Sequence, residues 1–300
     1  VAAHLAPIGI GTDTGGSVRV PAALCGIVGL KVTHGRVPIT GVFPLAPSLD
    51  TVGPITRSVA DAALTYSVIA GDDHSDPWCA PRPVTTPDHP ADLSGLRVAV
   101  PRQWLDRPLS LEVRTGFERA LDRIAGKGAT VVHVDTPDIV RGAFEPATYG
   151  EVAFVHSGWF LEDSGRYGEE IRARLGHTIQ TDQADFARAR TWREGLRHSF
   201  ERVFAEFDII ATPMTAVTRK IIGEEFVVTE AGTESYRPAL SAFSVLANQA
   251  GLPAISLPID AAGSPPPSIQ LIGPAWSEEQ LLGVGWAMEN AEIATVRPPG

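Results

Sequence analysis

The segment from 96 to 134 constrains the fold most. "LRVAV" (96–100) and "TVVHV" (130–134) are short runs rich in branched apolar residues, and between them Val113, Phe117, Leu121 and Ile124 recur on one stripe of a helix over 111–125. Strand, helix and strand in this order make two parallel strands joined by a right-handed crossover. Parallel strands are usually covered on both faces, so the chain must supply further helices and strands around them. It does: "FDIIATP", "PAISLP" and "SIQLIG" are further short apolar runs, with a helix expected before Asn248 and another opening at Ser277 with Gln280 as its capping partner. The expected class is α/β, one sheet with helices on both faces, and no internal repeat is visible.

Elsewhere the punctuation is clear. "SVADAALTYSVIAG" (58–71) starts with a capping serine, has Asp61 three residues on and ends in glycine, which predicts a helix. Residues 72–95 are rich in Pro and Asp without periodicity and read as a surface connector. Residues 151–206 read as two or three helices holding most of the aromatics, including Phe154, Trp159, Phe160, Tyr167 and Trp192. The opening "VAAHLAPIGIGTD" reads as the end of a small-residue helix running into a strand, so the sequence is expected to start inside a fold.

The formal net charge of −10 and the absence of a basic run exclude nucleic acid and an anionic membrane surface as expected partners. No apolar run approaches the ~20 residues of a membrane span. Cys25 and Cys79 are too few and too far apart for a metal site or disulfide framework, which suits a reducing cytoplasm; no cofactor is expected. A small-molecule substrate fits this composition, and a homo-oligomer is compatible with it.

Chemistry concentrates in "GIGTDTGGSVRVPAALCG" (9–26). Thr14, Gly15 and Gly16 leave backbone N–H groups uncovered ahead of Ser17, an arrangement suited to holding an oxyanion beside a nucleophile. Alone, "TGGS" reads equally as a turn or a phosphate cradle. It lacks the lysine and spacing of a P-loop, and Arg19 stands where a hydrolase nucleophile elbow needs glycine.

The longer context "GIGTDTGGSVRVPAALCGIVGLKVTHGRV", followed by "SLDTVGPITRSVADAAL", closely resembles the signature region of the amidase signature family of serine amidases. The likeness is dense over about the first seventy residues and returns at "FDIIATP", "ANQAGLPAISLP" and "IQLIGPAWSEEQLL". This resemblance implies one amidase signature domain over 1–300 with a mixed central sheet, lacking its N-terminal portion, and a variable helical substrate-pocket region over 135–240. It implies Ser17 as nucleophile, the amides of Thr14, Gly15, Gly16 and Ser17 as the oxyanion hole, and Asp13 and Arg19 as supports of the loop. The expected reaction is hydrolysis of a carboxylic amide to an acid and ammonia or amine through a serine acyl-enzyme. The alternatives are a noncatalytic fragment and a glutamine-hydrolysing amidotransferase A subunit.

The family's base is a lysine acting through a second, bridging serine, both upstream of the signature, and neither segment is found in this sequence. The chain alone is therefore expected not to turn amides over. Lys31 is expected to be a loop or surface anchor, Lys127 a partner for a helix C-terminus, and Lys220 a loop residue. His34 reads as a turn residue and His133 as structural, and His4 would come near the site only by accident. Cys25, in an apolar run, reads as a buried, inert thiol. The aromatics of the middle region suggest a hydrophobic or aryl-bearing amide. For glutamine, Arg172 or Arg174 in "YGEEIRARLG" would meet the carboxylate, although no acid stands between Glu234 and Asn248 to hold the amino group.

Overall fold

The computed structural model describes residues 1–142, 144–259 and 265–296. In chain order its elements are β1 (Ile8–Thr12), α1 (Arg19–Leu24), β2 (Val28–Lys31), β3 (Val52–Thr56), α2 (Val59–Ile69), β4 (Arg97–Pro101) and α3 (Arg102–Leu105). Next come α4 (Leu111–Ala125), β5 (Thr130–Val134), α5 (Phe144–Glu162), α6 (Glu169–Thr178), α7 (Gln183–Phe204) and β6 (Ile209–Pro213). The chain continues with β7 (Phe226–Thr229), β8 (Gly232–Ser235), α8 (Tyr236–Leu240), α9 (Val245–Ala250), β9 (Ala254–Pro258), β10 (Ser268–Ile272) and α10 (Glu278–Asn290).

Eight strands form one mixed sheet in the order β1-β3-β2-β9-β10-β6-β4-β5. β4 runs parallel to β5 and to β6, while every other pairing is antiparallel. The strand, helix and strand unit over 96–134 forms as its periodicity predicts. Alternation along the strands sorts side chains between two cores. Val98 and Val100 of β4, Ile209 and Ala211 of β6, and Ile255 and Leu257 of β9 pack with α2, α4 and α10. Ala99, Ile210 and Ala254 face the other way, into the core under α7 and α9.

Local chemistry sets the boundaries. Ser58 caps α2, its Oγ accepting from the Asp61 amide at 3.0 Å. The expected cap of α10 does not form, because the Ser277 hydroxyl donates to the Pro274 carbonyl instead. Residues 1–7 form turns and not the end of a helix, and Leu5 is exposed. Asn248 lies inside α9 and does not follow it, while the hairpin of β7 and β8 has no counterpart in the sequence expectation. Between α2 and β4 no helix or strand forms.

Candidate active site

β1 ends at Thr12, and the chain turns over one face of the sheet through residues 13–18 before entering α1. The turn is wound around a single carboxylate. Asp13 is fully buried, and its two oxygens accept from the amides of Gly16 (2.7 Å) and Val18 (3.2 Å), from Nε and an Nη of Arg19 (3.0 and 2.9 Å) and from Nδ2 of Asn248 (2.8 Å). Burial pushes this carboxyl up, but the Arg19 charge and hydrogen bonds outweigh it and hold it well below the usual carboxylate range. Asp13 and Arg19, the two loop supports expected from the resemblance, bond to each other within this turn and α1.

Arg19 is itself fully buried and reaches further than the loop. It also donates to Oδ1 of Asn248, Oε1 of Gln270 and the Ser244 carbonyl. Gln270 in turn donates to Oγ1 of Thr212 (3.0 Å) and the Phe243 carbonyl (2.9 Å). Strand register explains why these polar groups meet: Ser256 pairs with both Gly29 and Gln270, and Gln270 pairs with Thr212. A row of small or polar side chains therefore crosses the sheet face beneath the loop. Asn248, Gln270 and Ser244 were not singled out from the sequence. Their signal was a polar residue in the middle of an otherwise apolar run.

The loop's outer surface is shaped by a glycine that nothing else could replace. Gly16 has φ +123°, and a β-carbon there would lie 2.6 Å from Oγ of Ser244. Ser244 closes the contact by donating to the Gly15 carbonyl at 2.6 Å. Ser17 is exposed at the tip, and its hydroxyl makes no hydrogen bond to any described residue. The Gly16 amide is committed to Asp13 and is not a free donor, which corrects the four-amide oxyanion hole. Among the described residues, the amides of Thr14, Gly15 and Ser17 have no acceptor. On the opposite flank, Oγ1 of Thr14 donates to Asp50, whose other oxygen accepts from the Leu45 and Ala46 amides (2.9 and 3.1 Å).

The other candidates make no hydrogen bond to Ser17 among the described residues. Lys31 is no surface anchor: it points from β2 to the same face as Gly29, is fully buried, and donates to the carbonyls of Val32 and Leu252 at 2.9 Å each. Burial, with Arg19 nearby, lowers its pKa to about 7, against the pull of Asp13 and Glu278. Cys25 is exposed at the end of α1 and is not a packed core thiol. Its apolar neighbours, Ala22, Ala23 and Ile27, take the inward positions. His34 bonds to the Pro47 carbonyl through Nε2, His133 is exposed on edge strand β5, and Lys220 stands over the Tyr236 ring. Arg172 and Arg174 are exposed on α6. No helix among the described residues is long and apolar enough to cross a membrane.

Lys31 gives the fold a pH dependence of known sign. Its folded pKa lies below the unfolded value of ~10.5, so between these values the unfolded chain binds more protons and stability rises with pH. From pH 7 to 9 the urea unfolding free energy is expected to increase by about 2 kcal/mol, and Lys31→Met is expected to abolish the increase. Glu289, whose pKa burial raises to about 7, acts mainly between pH 4.5 and 7 and leaves this window clear. A parent whose stability is flat from pH 7 to 9 contradicts the burial of a neutralised lysine.

Known proteins resemble this chain in sequence and architecture. The model of the family described as Amidase matches residues 1–282. The A subunit of glutamyl-tRNA(Gln) amidotransferase from Staphylococcus saprophyticus is 33% identical over 318 aligned residues, covering 97% of this chain and 64% of the relative. That of Nitratidesulfovibrio vulgaris is 36% identical over 327, covering 97% and 65%. Among solved structures, the corresponding protein from Thermotoga maritima is similar with a TM-score of 0.82 at 31% identity, over 99% of this chain and 67% of that one. Peptide amidase from Stenotrophomonas maltophilia gives 0.76 at 28%, over 100% and 65%. The chain spans about two thirds of the length of these relatives. With its family match, its mixed sheet and its glycine-flanked serine loop, this chain belongs to the amidase signature family.

Proposed function

We propose that this chain carries the nucleophile of an enzyme that hydrolyses a carboxamide through an acyl-enzyme on Ser17, and that the amide is that of glutamine. The supporting observation is an exposed, unbonded serine hydroxyl on a turn whose one carboxylate accepts six hydrogen bonds from the turn, α1 and α9. A nucleophile needs that combination of freedom at the hydroxyl and rigidity behind it. Oγ of Ser17 attacks the amide carbon, the oxyanion forms facing the amides of Gly15 and Ser17, and ammonia leaves with the proton taken from the hydroxyl. Water then cleaves the ester to the acid. No described residue contacts the hydroxyl as a base. In a protein spanning the relatives' full length, the family's lysine and bridging serine fill that role.

Glutamine is favoured by the relatives, which at 33% and 36% identity bear the name of an amidotransferase. In that setting the chain works as one subunit of a larger assembly in the cytoplasm, and the ammonia is used by a partner. A second reading, an aryl-bearing amide, has one observation behind it. Phe43 and Trp159 stack at 5.2 Å, both exposed, and Phe43 lies on the loop that Asp50 ties to Thr14. Ammonia release from glutamine and from benzamide by a form spanning the relatives' length separates the two. Glutamine is expected to be the better substrate by at least about tenfold in kcat/KM. Faster release from benzamide overturns the glutamine assignment, and release from neither overturns amide hydrolysis.

A further inference from the structure

Two side chains outside the glycine loop hold one of its peptide units in place. β1 and β3 are paired up to Thr12 and Val52, and the pairing runs on past the strand ends, because the Asp13 amide donates to the Thr51 carbonyl at 2.8 Å. Residues 50 and 51 are thereby set against residues 13 and 14. Oγ1 of Thr51 donates to the Asp13 carbonyl at 2.9 Å, and Nδ2 of Asn248 donates to the same oxygen at 3.1 Å. One residue on, Oγ1 of Thr14 donates to Asp50 at 2.5 Å, and Asp50 is itself fastened by the amides of Leu45 and Ala46. Thr14, Asp50 and Thr51 are all buried.

A peptide unit is planar and trans, so its C=O and N–H point in opposite directions. The Asp13 carbonyl and the Thr14 N–H belong to one such unit. Two donors fix its carbonyl, the Asp50 bond fixes the side chain that follows, and the Thr14 N–H is left facing the other way with no acceptor among the described residues. The next held unit has the same arrangement: the Gly16 carbonyl accepts from the Val20 amide at 2.7 Å, and the Ser17 N–H points away from it. Between them, the Thr14 carbonyl and the Gly15 amide are bonded to no described residue. The Gly16 amide on Asp13 draws Thr14 and Ser17 into a single turn. A donor fixed in direction before the substrate arrives is what stabilises a developing oxyanion, because little reorganisation remains at the moment of reaction.

We propose that Thr51 and Asp50 are positioning residues for the oxyanion hole: through the Asp13 carbonyl and the Thr14 hydroxyl they aim the Thr14 amide at the oxyanion that forms beside Ser17, adding it to the Gly15 and Ser17 donors. The proposal rests on the reading of Ser17 as the nucleophile. Phosphonylation of Ser17 by a fluorophosphonate is followed in a form spanning the relatives' length, where the phosphonyl oxygen takes the place of the oxyanion. The maximal rate per labelled site is read apart from the affinity for the probe. Thr51→Val keeps the side chain's shape and the backbone carbonyl but removes the donor, and is expected to lower the maximal rate by about tenfold or more with the affinity within about twofold. Thr51→Ser, which restores the hydroxyl, is expected to return the rate to within about threefold of the parent. Thr14→Val removes the other tie and should show the same split, and because both ties hold one amide, the effects of the two substitutions should not multiply in the double variant. A role in stability alone would lower the amount of protein that labels, not the rate at each site. An unchanged maximal rate in Thr51→Val, a Thr51→Ser form no faster than Thr51→Val, or fully multiplicative effects overturns the proposal. If Thr51→Val does not fold, Thr14→Val against Thr14→Ser decides it on the same two constants. No adduct on Ser17 in the parent removes the nucleophile and this proposal with it, whereas a labelled parent whose rate ignores both substitutions removes the positioning role alone.

Discussion

Arg19→Met is expected to destabilise the chain by about 3–5 kcal/mol, because it strands the Asp13 carboxylate in the interior without its counter-ion. The methionine fills most of the arginine's volume, so packing is largely preserved and the loss is electrostatic. Asp13 would keep the amides of Gly16 and Val18 and the side chain of Asn248, which are neutral donors and cannot offset a buried charge. Gln270, Asn248 and the Ser244 carbonyl would each lose a donor as well. Against a typical domain stability of about 5–15 kcal/mol, this is a large share, and it should appear as a fall in the urea midpoint at unchanged slope. The pH response supplies a second readout. In the parent, the Asp13 carboxyl is held below its unfolded value, so its contribution is present above that value and is lost only as pH falls through the lower folded pKa. Without Arg19, burial is opposed only by the Lys31 charge and the remaining neutral donors, so the folded pKa is expected to rise above the unfolded one and the deficit to shrink on acidification to pH 4–5. A double variant Arg19→Met with Asp13→Asn should recover part of the loss. Arg19→Met within about 1 kcal/mol of the parent would mean that the pair is not the buried centre described here.

Much of the architecture follows from patterns that the sequence displays openly. The helical stripe of Val113, Phe117, Leu121 and Ile124 between two branched runs leads directly to β4, α4 and β5, since periodicity and burial report the same thing there. The site was legible in its covalent neighbourhood: Asp13, Gly16, Ser17 and Arg19 are within six residues of one another. Its distant half was not, because register, and not local pattern, brings Gln270 against Thr212 and Arg19. Lys31 misled for a related reason. A lysine next to "VTHG" reads as a loop residue, yet its place one step after Leu30 turns it to the face that the loop covers. Cys25 misled in the opposite sense, since an apolar run that ends a six-residue helix still presents one position outward. The small-residue opening 1–7 forms turns and not the expected helix end, with its Val1 and Ala6 carbonyls accepting from Arg57. The hairpin of β7 and β8 was hidden because Phe226 and Val228 are exposed, which breaks the usual link between apolar character and burial.

The largest functional effect expected is the loss of acylation with Ser17→Ala. In a form of the protein spanning the relatives' length, this substitution removes the hydroxyl proposed to form the ester, and turnover of glutamine should fall by about 10⁴-fold or more. Stability should hardly change, since the hydroxyl is exposed and bonded to no described residue. That pairing of a chemical loss with an intact fold separates Ser17 from Asp13 and Arg19, whose loss should damage both. The most direct measurement is peptide mass spectrometry after reaction with a fluorophosphonate, run on the longer form and on the 300-residue chain. The account predicts one adduct, on Ser17, in the longer form, and slower labelling of the same serine by about 10²- to 10⁴-fold in the 300-residue chain, where no described residue contacts its hydroxyl as a base. An adduct on any other serine, or labelling that persists in Ser17→Ala, would contradict it.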